Sequence, residues 1–416
     1  MILEYTCENY RSMKEKVMFS MLASKDNSFE EKLINHNGTL INKVAAIYGA
    51  NGSGKTSFLD SINFLKLLVC NSINHQPGDK IAQFAHKLAE QNAPTTYTIQ
   101  FVKDNVRYAY GLSYTSEQIL SEYLYYFPNG KQAKIFDRNL NEVSFGDKFR
   151  KDFEIILNFL KPNKLFLSVS ANYSAVKETE LVFLFFKEDL IFYPMPQESF
   201  KWIEYSIERF TQDPELKNSF INFMKSVDTP IESVDTKFES KQMAPKYIPD
   251  NLPDEIRPFF AQAKKIIKSD AEIDYGLFSV NLTEESNGIK KLFEVFVPII
   301  DIVLNDKILI WDEMETSLHP CIVKELLRLI MSGKQDSKAQ LIFSTHDINL
   351  LDLNTFRRDQ IWFTELNKER STDLYSLAEL KNVRKDENIN KGYMNGKYGA
   401  VPVIHNPLIF SEGEGK

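Results

Sequence analysis

The residues Gly49-Ala50-Asn51-Gly52-Ser53-Gly54-Lys55-Thr56 have the spacing of a phosphate-binding loop, and they lie between an apolar stretch and an amphipathic one. Glycines let the backbone curl, so that the N–H groups of a loop such as Gly49, Asn51, Gly52, Ser53 and Gly54 turn inward onto a β-phosphate, while a helix that starts after Gly54 adds the positive end of its dipole. Lys55 then supplies a point charge for the β- and γ-phosphates, and the Thr56 hydroxyl is a ligand for Mg²⁺. A glycine-rich turn that binds nothing has the same letters; the flanking strand and helix argue against it.

Three further segments carry matching chemistry. Ile308-Leu309-Ile310-Trp311-Asp312-Glu313 is an apolar strand ending in two carboxylates, delivered to the carboxyl edge of a sheet where ligands bind. Asp312 suits the metal and Glu313 the polarisation of an attacking water, since phosphoryl transfer needs positioning more than covalent help. Two solvated acids at a strand end are the plain alternative. Leu341-Ile342-Phe343-Ser344-Thr345-His346 is a second apolar strand with a polar end, and His346 is placed to donate a hydrogen bond to a γ-phosphate. Ser286, in Glu285-Ser286-Asn287-Gly288-Ile289-Lys290, caps a helix whose apolar face is Leu292, Phe293, Phe296 and Val303. That helix start, with Ser286 and Gly288, is a second anion site ahead of the carboxylate pair.

The elements that must hold these residues alternate strand and helix. Ile2 to Cys7 and Val17 to Met21 read as strands, Lys43 to Tyr48 as a strand buried on both faces, and Phe58, Leu59, Ile62, Phe64, Leu65 and Leu68 as one face of a helix. Thr96 to Val102, Val106 to Tyr114 and Ile119 to Phe127 form an antiparallel meander. From Asp147 onward the period becomes helical, with Trp202, Ile203, Ile207 and Phe210 on one helix and Leu216, Phe220, Phe223, Met224 and Val227 on another. Helix 288–304, strand 307–311, helix 321–331 and strand 340–344 follow. The expected fold class is α/β: a mixed or parallel sheet with a β meander and an inserted helical lobe. Its divisions are 1–146, 147–275 for the lobe, and 276–416.

Composition excludes several classes. The 416 residues are 43% hydrophobic and 26% charged, which suits a globular chain. The longest strictly apolar run, Leu181 to Phe186, and the segment Phe296 to Leu304, broken by Pro298 and Asp301, are both too short to cross a bilayer. Glu4 and Glu8 stand where a secretory leader needs basic residues, so a cytoplasmic chain is expected. Three scattered cysteines (Cys7, Cys70, Cys321) offer no metal spacing, and His36, His75, His86, His319 and His405 offer none either. The net charge of −7 builds in no long-range attraction to nucleic acid. The basic clusters Arg357-Arg358 and Lys381, Arg384, Lys385 alternate with Asp359 and Asp386 and read as solvated faces.

Taken together, these segments resemble the ABC-class ATPases of the SMC, RecF and OLD group, in that group's order: phosphate loop, signature (Ser286 to Gly288), Walker B pair (Asp312, Glu313), a D-loop-like Glu315-Thr316-Ser317-Leu318-His319-Pro320, and switch histidine His346. The resemblance implies ATP and Mg²⁺ as cofactors, ATP hydrolysis, and a homodimer or larger assembly in which the signature serine of one subunit reaches the γ-phosphate held by the other. Two departures stand out: Ile289 replaces the usual small or hydroxylated residue, weakening that contact, and the best Gln-loop residue is Gln100. More narrowly, Asn9-Tyr10-Arg11-Ser12, Phe356 to Gln360, Leu374-Tyr375-Ser376-Leu377, Val383 to Asp386 and Gly396 to Ala400 are similar to the ATPase subunits of phage-defence and abortive-infection pairs, the PARIS and RloA-like systems among them. That implies an ATP-dependent sensor or scaffold controlling a separate effector, such as a TOPRIM-type nuclease; the seventy residues after His346 show no strand-end Glu followed by a DxD strand, which a fused nuclease of that type would require. The competing readings are a RecF-like DNA clamp and an ATP-binding scaffold with negligible turnover.

Overall fold

In the computed structural model, residues 1–194, 198–243, 264–332, 336–381, 383–384 and 387–402 are described; Lys385, Asp386, His405 and the polar tail 412–416 lie outside them. The apolar stretch before the glycine loop forms strand Val44–Gly49, buried at all six residues. It lies inside a six-stranded sheet of order Leu190–Phe192, Ile308–Trp311, Gln340–Ser344, Val44–Gly49, Ile361–Leu366, Thr372–Ser376. The first five strands are parallel and the sixth is antiparallel. Ile308–Trp311 and Gln340–Ser344 are buried at every position, as strands covered on both faces are, and apart from the hydrogen-bonded end residues Gln340 and Ser344 they are apolar. Helix Lys55–Asn71 follows the loop and buries Phe58, Leu59, Ile62, Leu65, Leu68 and Val69, the stripe that 3.6-residue periodicity requires.

The meander takes in more of the chain than the expected stretch from Thr95 to Phe145. Seven antiparallel strands run in the order Glu142–Phe145, Ala133–Asn139, Ile119–Phe127, Val106–Tyr114, Thr95–Lys103, Ile2–Glu8, Val17–Ser20, so both amino-terminal strands join it. One face packs on helix Lys55–Asn71, where Tyr5 meets Phe58 edge-on at 5.9 Å and its hydroxyl donates to Ser61 Oγ at 2.9 Å. Gln340 ties this sheet to the parallel one, accepting from Ile2 N at 2.6 Å and donating to Ile2 O at 3.0 Å and Asn42 O at 3.1 Å.

The expected helical lobe 147–275 is corrected on two counts. The chain forms two compact units, 1–193 with 303–315 and 326–416, and 194–302 with 316–325. Helices Arg150–Ile156, Phe166–Tyr173 and Lys177–Leu184 therefore belong to the first unit, where Phe153, Phe166 and Val182 are buried. The fully buried Glu122 accepts the N–H groups of Phe166 (2.6 Å) and Leu167 (2.9 Å), capping a helix that lacks a local cap. The short run before Tyr193 supplies the edge strand Leu190–Phe192. The second unit, taken by itself, does contain the two expected helices, Phe200–Gln212 and Pro214–Ser226, but continues as strands Ser233–Met243, Lys264–Asp274 and Ser279–Asn281. Among the residues of these strands whose burial is described, only Val234, Ala271 and Ile273 are buried, a period-2 pattern too sparse to stand out among polar residues. Helix Asn287–Leu304 packs Phe293 on Phe210 (5.2 Å) and Phe296 on Phe220 (5.3 Å). It also tolerates Pro298, whose missing N–H would have served Glu294 O; the Ser206 hydroxyl donates to that carbonyl at 3.3 Å instead.

The carboxy-terminal arginines also differ from expectation. Arg357 is 1% exposed, bonded to Asp359 at 3.0 and 2.8 Å and to the carbonyl oxygens of Ser24 (3.3 Å) and Ser28. Arg358 holds Asp26 at 3.0 Å and donates to Val383 O at 3.1 Å. Both are internal pins, Arg357 held by Asp359 and the Ser24 and Ser28 carbonyls and Arg358 by Asp26 and the Val383 carbonyl, so the pair does not form a solvated face. Burial alone would raise the Asp26 pKa, but the Ser28 hydroxyl and N–H and the Arg358 guanidinium together hold it well below the carboxylate range. A depressed native pKa contributes stability above the unfolded value and loses it as pH falls. Asp26→Asn is therefore expected to lower the urea midpoint at pH 7, with the difference from wild type shrinking as pH drops below about 4.

Candidate functional site

The phosphate loop is held from behind by hydroxyls that come from far along the chain. Ser53 Oγ and Thr364 Oγ1 lie 2.6 Å apart, Thr372 Oγ1 donates to Ser53 O at 2.9 Å, and Ser12 Oγ lies 2.8 Å from the same threonine. Gly54 has φ of 111°, and a Cβ there would stand 2.1 Å from Thr372 Oγ1, so only glycine fits. Gly52, at φ 76°, turns to open space. Gly54→Ala is expected to weaken nucleotide binding by about 10-fold or more, since the loop must move to relieve both strain and clash. Fluorescent-nucleotide titration measures this.

Lys55 is 6% exposed, and its ammonium donates to Gly49 O at 2.8 Å and Ala50 O at 3.1 Å. Burial lowers its pKa; Asp312, Glu313 and Glu315 oppose that shift. Thr56 Oγ1 donates to Asp312 Oδ2 at 2.7 Å, and the other Asp312 oxygen accepts from the Ser344 hydroxyl. A hydroxyl and a carboxylate oxygen converging beside a buried ammonium are the hard oxygen donors and the positive charge that Mg²⁺ with a phosphate chain needs, so the residues fit that group.

Glu313 is exposed, in the left-handed region at φ 51°, with its N–H on Ser344 Oγ at 2.8 Å. A non-glycine residue seldom adopts this conformation, and here it turns the carboxylate out of the strand line. His346 stands at the end of the neighbouring strand, its N–H on Glu315 Oε1 at 2.6 Å, and desolvation by the surrounding protein, followed by the Lys55 charge, keeps its imidazole pKa below the ordinary value although the residue is exposed. The first unit thus brings together Gly49, Asn51, Gly52, Ser53, Gly54, Lys55, Thr56, Asp312, Glu313 and His346. Ser286 and Gly288 belong to the second unit. There, Ser286 Oγ accepts the Ile289 N–H at 3.4 Å as the expected cap, and Gly288 runs close to Ser317 O, 3.3 Å from where a Cβ would be. Gln100 is occupied elsewhere, donating to Glu4 at 2.7 Å and accepting from Arg107 at 3.1 Å.

Sequence reasoning missed Ser344 as the shared anchor of Asp312 and Glu313, and Ser12, Thr364 and Thr372 as the backing of the loop. Ser344 could have been found as the polar residue ending the adjacent strand. The threonines carry no local signal, being some 300 residues from the loop they support.

Among solved structures, the chain is similar to the SMC head bound to the C-winged helix domain of ScpA, at 14% identity and a TM-score of 0.50 over 90% of this chain and 97% of that one. The SMC head domain from Thermotoga maritima matches at 12% identity and a TM-score of 0.41, over 90% and 98%. An SMC head domain with an extended coiled coil, bound to the C-terminal domain of ScpA derived from Pyrococcus furiosus, matches at 11% and 0.40, over 90% and 96%. No curated protein matches by sequence. The first of these likenesses gives the fold, that of an SMC head. Residues 44–352, from the first residue of the loop strand to just past His346, match one family model, and the chain accordingly belongs to the family described as "AAA domain, putative AbiEii toxin, Type IV TA system".

Proposed function

We propose that this chain hydrolyses ATP with Mg²⁺ and serves as the ATP-dependent sensor or scaffold subunit of an anti-phage, abortive-infection system whose effector, such as a nuclease, is a separate protein. The observation that carries the ATPase reading is the Thr56–Asp312 hydrogen bond of 2.7 Å beside Lys55, with Glu313 and His346 on adjoining strand ends. Thr56 and Asp312 would hold Mg²⁺, which would supply neutralisation of the charge that develops on the phosphate chain. Lys55 leaves the carbonyls of Gly49 and Ala50 for phosphate oxygens. Glu313 orients the attacking water and accepts its proton, and His346 donates to the γ-phosphate. The family description supports the abortive-infection setting. A DNA clamp has less support, because the Arg357-Arg358 pair is tied up inside the fold. Among the described residues no helix is long and apolar enough to cross a membrane.

In this reading Ser286 acts on the partner copy's nucleotide. Mixing Lys55→Ala and Ser286→Ala chains, each inactive alone, leaves one intact composite site in each mixed dimer, so roughly a quarter of wild-type turnover is expected to return. Phosphate release measures it; no recovery would mean that Ser286 serves its own subunit or none. Co-purification of the adjacent gene's product, with and without ATP, tests the effector.

A further inference from the structure

The carboxylate and histidine strands pair in parallel as far as Trp311 opposite Phe343. Past that point the two chains remain joined by a different set of bonds. Ser344 Oγ serves Asp312 and the Glu313 N–H, Ser344 O accepts the Met314 N–H at 3.2 Å, and Glu315 Oε1 accepts the His346 N–H at 2.6 Å. The Glu315 bond comes last and is charge-assisted, a class about twice as strong as a neutral hydrogen bond. It is held at a cost, because Glu315 Oε2 is buried with no hydrogen-bond partner among the described residues. The His346 imidazole itself makes no hydrogen bond among the described residues, and its side chain is exposed, so its direction depends on where its backbone is fixed. Asp347, the next residue, has its own short turn, accepting the Asn349 N–H at 2.9 Å, which leaves Glu315 as the side chain that grips His346.

We propose that Glu315 is a positioning residue for the reaction: by accepting the His346 N–H it sets the imidazole toward the γ-phosphate. The role rests on the ATPase reading above. A carboxylate that only added negative charge near Lys55 would act through charge, whereas a positioning carboxylate acts through its acceptor oxygen. Gln keeps the acceptor and removes the charge; Ala removes both.

The full chain, its Glu315→Ala and Glu315→Gln variants and His346→Asn are compared in steady-state ATP turnover, in nucleotide titration and in ¹H–¹³C spectra of the histidine rings, with His346→Asn assigning the signal. Glu315→Ala is expected to lower kcat by about 10- to 100-fold, the effect of a misplaced catalytic group, with KM and nucleotide affinity changed less than about 2-fold. Glu315→Gln is expected to return kcat to within about 3-fold of wild type, as an amide oxygen still accepts the bond. The His346 ring signal should move in Glu315→Ala and stay in place in Glu315→Gln. The proposal is overturned if Gln is as damaging as Ala, if Ala acts on KM instead of kcat, or if the ring signal ignores the Ala change. A wild-type chain without turnover refutes the ATPase reading, and the ring spectra still decide whether Glu315 positions His346.

Discussion

Replacing Glu313 with Gln is expected to reduce ATP turnover by at least about 10²-fold, the usual contribution of a positioned general base, while leaving nucleotide affinity nearly unchanged. The carboxylate is not spent on structure: Glu313 is exposed, and it is the backbone N–H, not the side chain, that Ser344 holds. Gln is nearly the same size, keeps one acceptor oxygen, and removes the proton affinity a base requires. Binding should survive because Lys55, Thr56 and the loop amides are untouched. The variant should therefore accumulate an ATP-stabilised assembly, visible as a shift to larger mass in size-exclusion chromatography with ATP. Wild-type turnover in Glu313→Gln would show that another group activates the water.

Lys55→Ala should fail earlier, at binding. Losing a charge-assisted contact to phosphate costs about 3 kcal/mol, or roughly 10²-fold in affinity. The nucleotide titration should show this without a matching loss of thermal stability, because Lys55 is a desolvated cation bonded, among the described residues, only to loop carbonyls at 2.8 and 3.1 Å. Removing it deletes a burial cost together with those bonds. Unchanged affinity would indicate that the loop amides alone carry the phosphate.

The site was legible where chemistry and element boundary coincide. Gly49 to Thr56, Asp312 with Glu313, and His346 each end a strand made of an unbroken apolar run, and a run of that kind has few other interpretations. The antiparallel pair Ser233–Met243 with Lys264–Asp274 was illegible for the opposite reason: among the residues whose burial is described, Val234, Ala271 and Ile273 are the buried ones, and neighbouring helices set the apparent period. Arg357 and Arg358 misled because interleaved charges look the same in sequence whether they face water or each other; their pairing depends on Asp26 and the Ser24 and Ser28 carbonyls, more than 300 residues away. Gln340 shows the same limit, since its partners are Ile2, in another sheet, and Asn42, in the short link before strand Val44–Gly49.

The order of strands in the parallel sheet bears on how the protein is made. Val44–Gly49 pairs on one side with Gln340–Ser344 and on the other with Ile361–Leu366, and Thr372 completes the support beneath Gly54. During translation the glycine loop therefore emerges about 300 residues before its neighbours, a wait of roughly 15–60 s at ordinary elongation rates. Until then a fully apolar strand has no partners, which makes the nascent chain a client for chaperones and means that a ribosome-stalled or clipped fragment ending before residue 361 carries the whole phosphate-loop motif without a working loop.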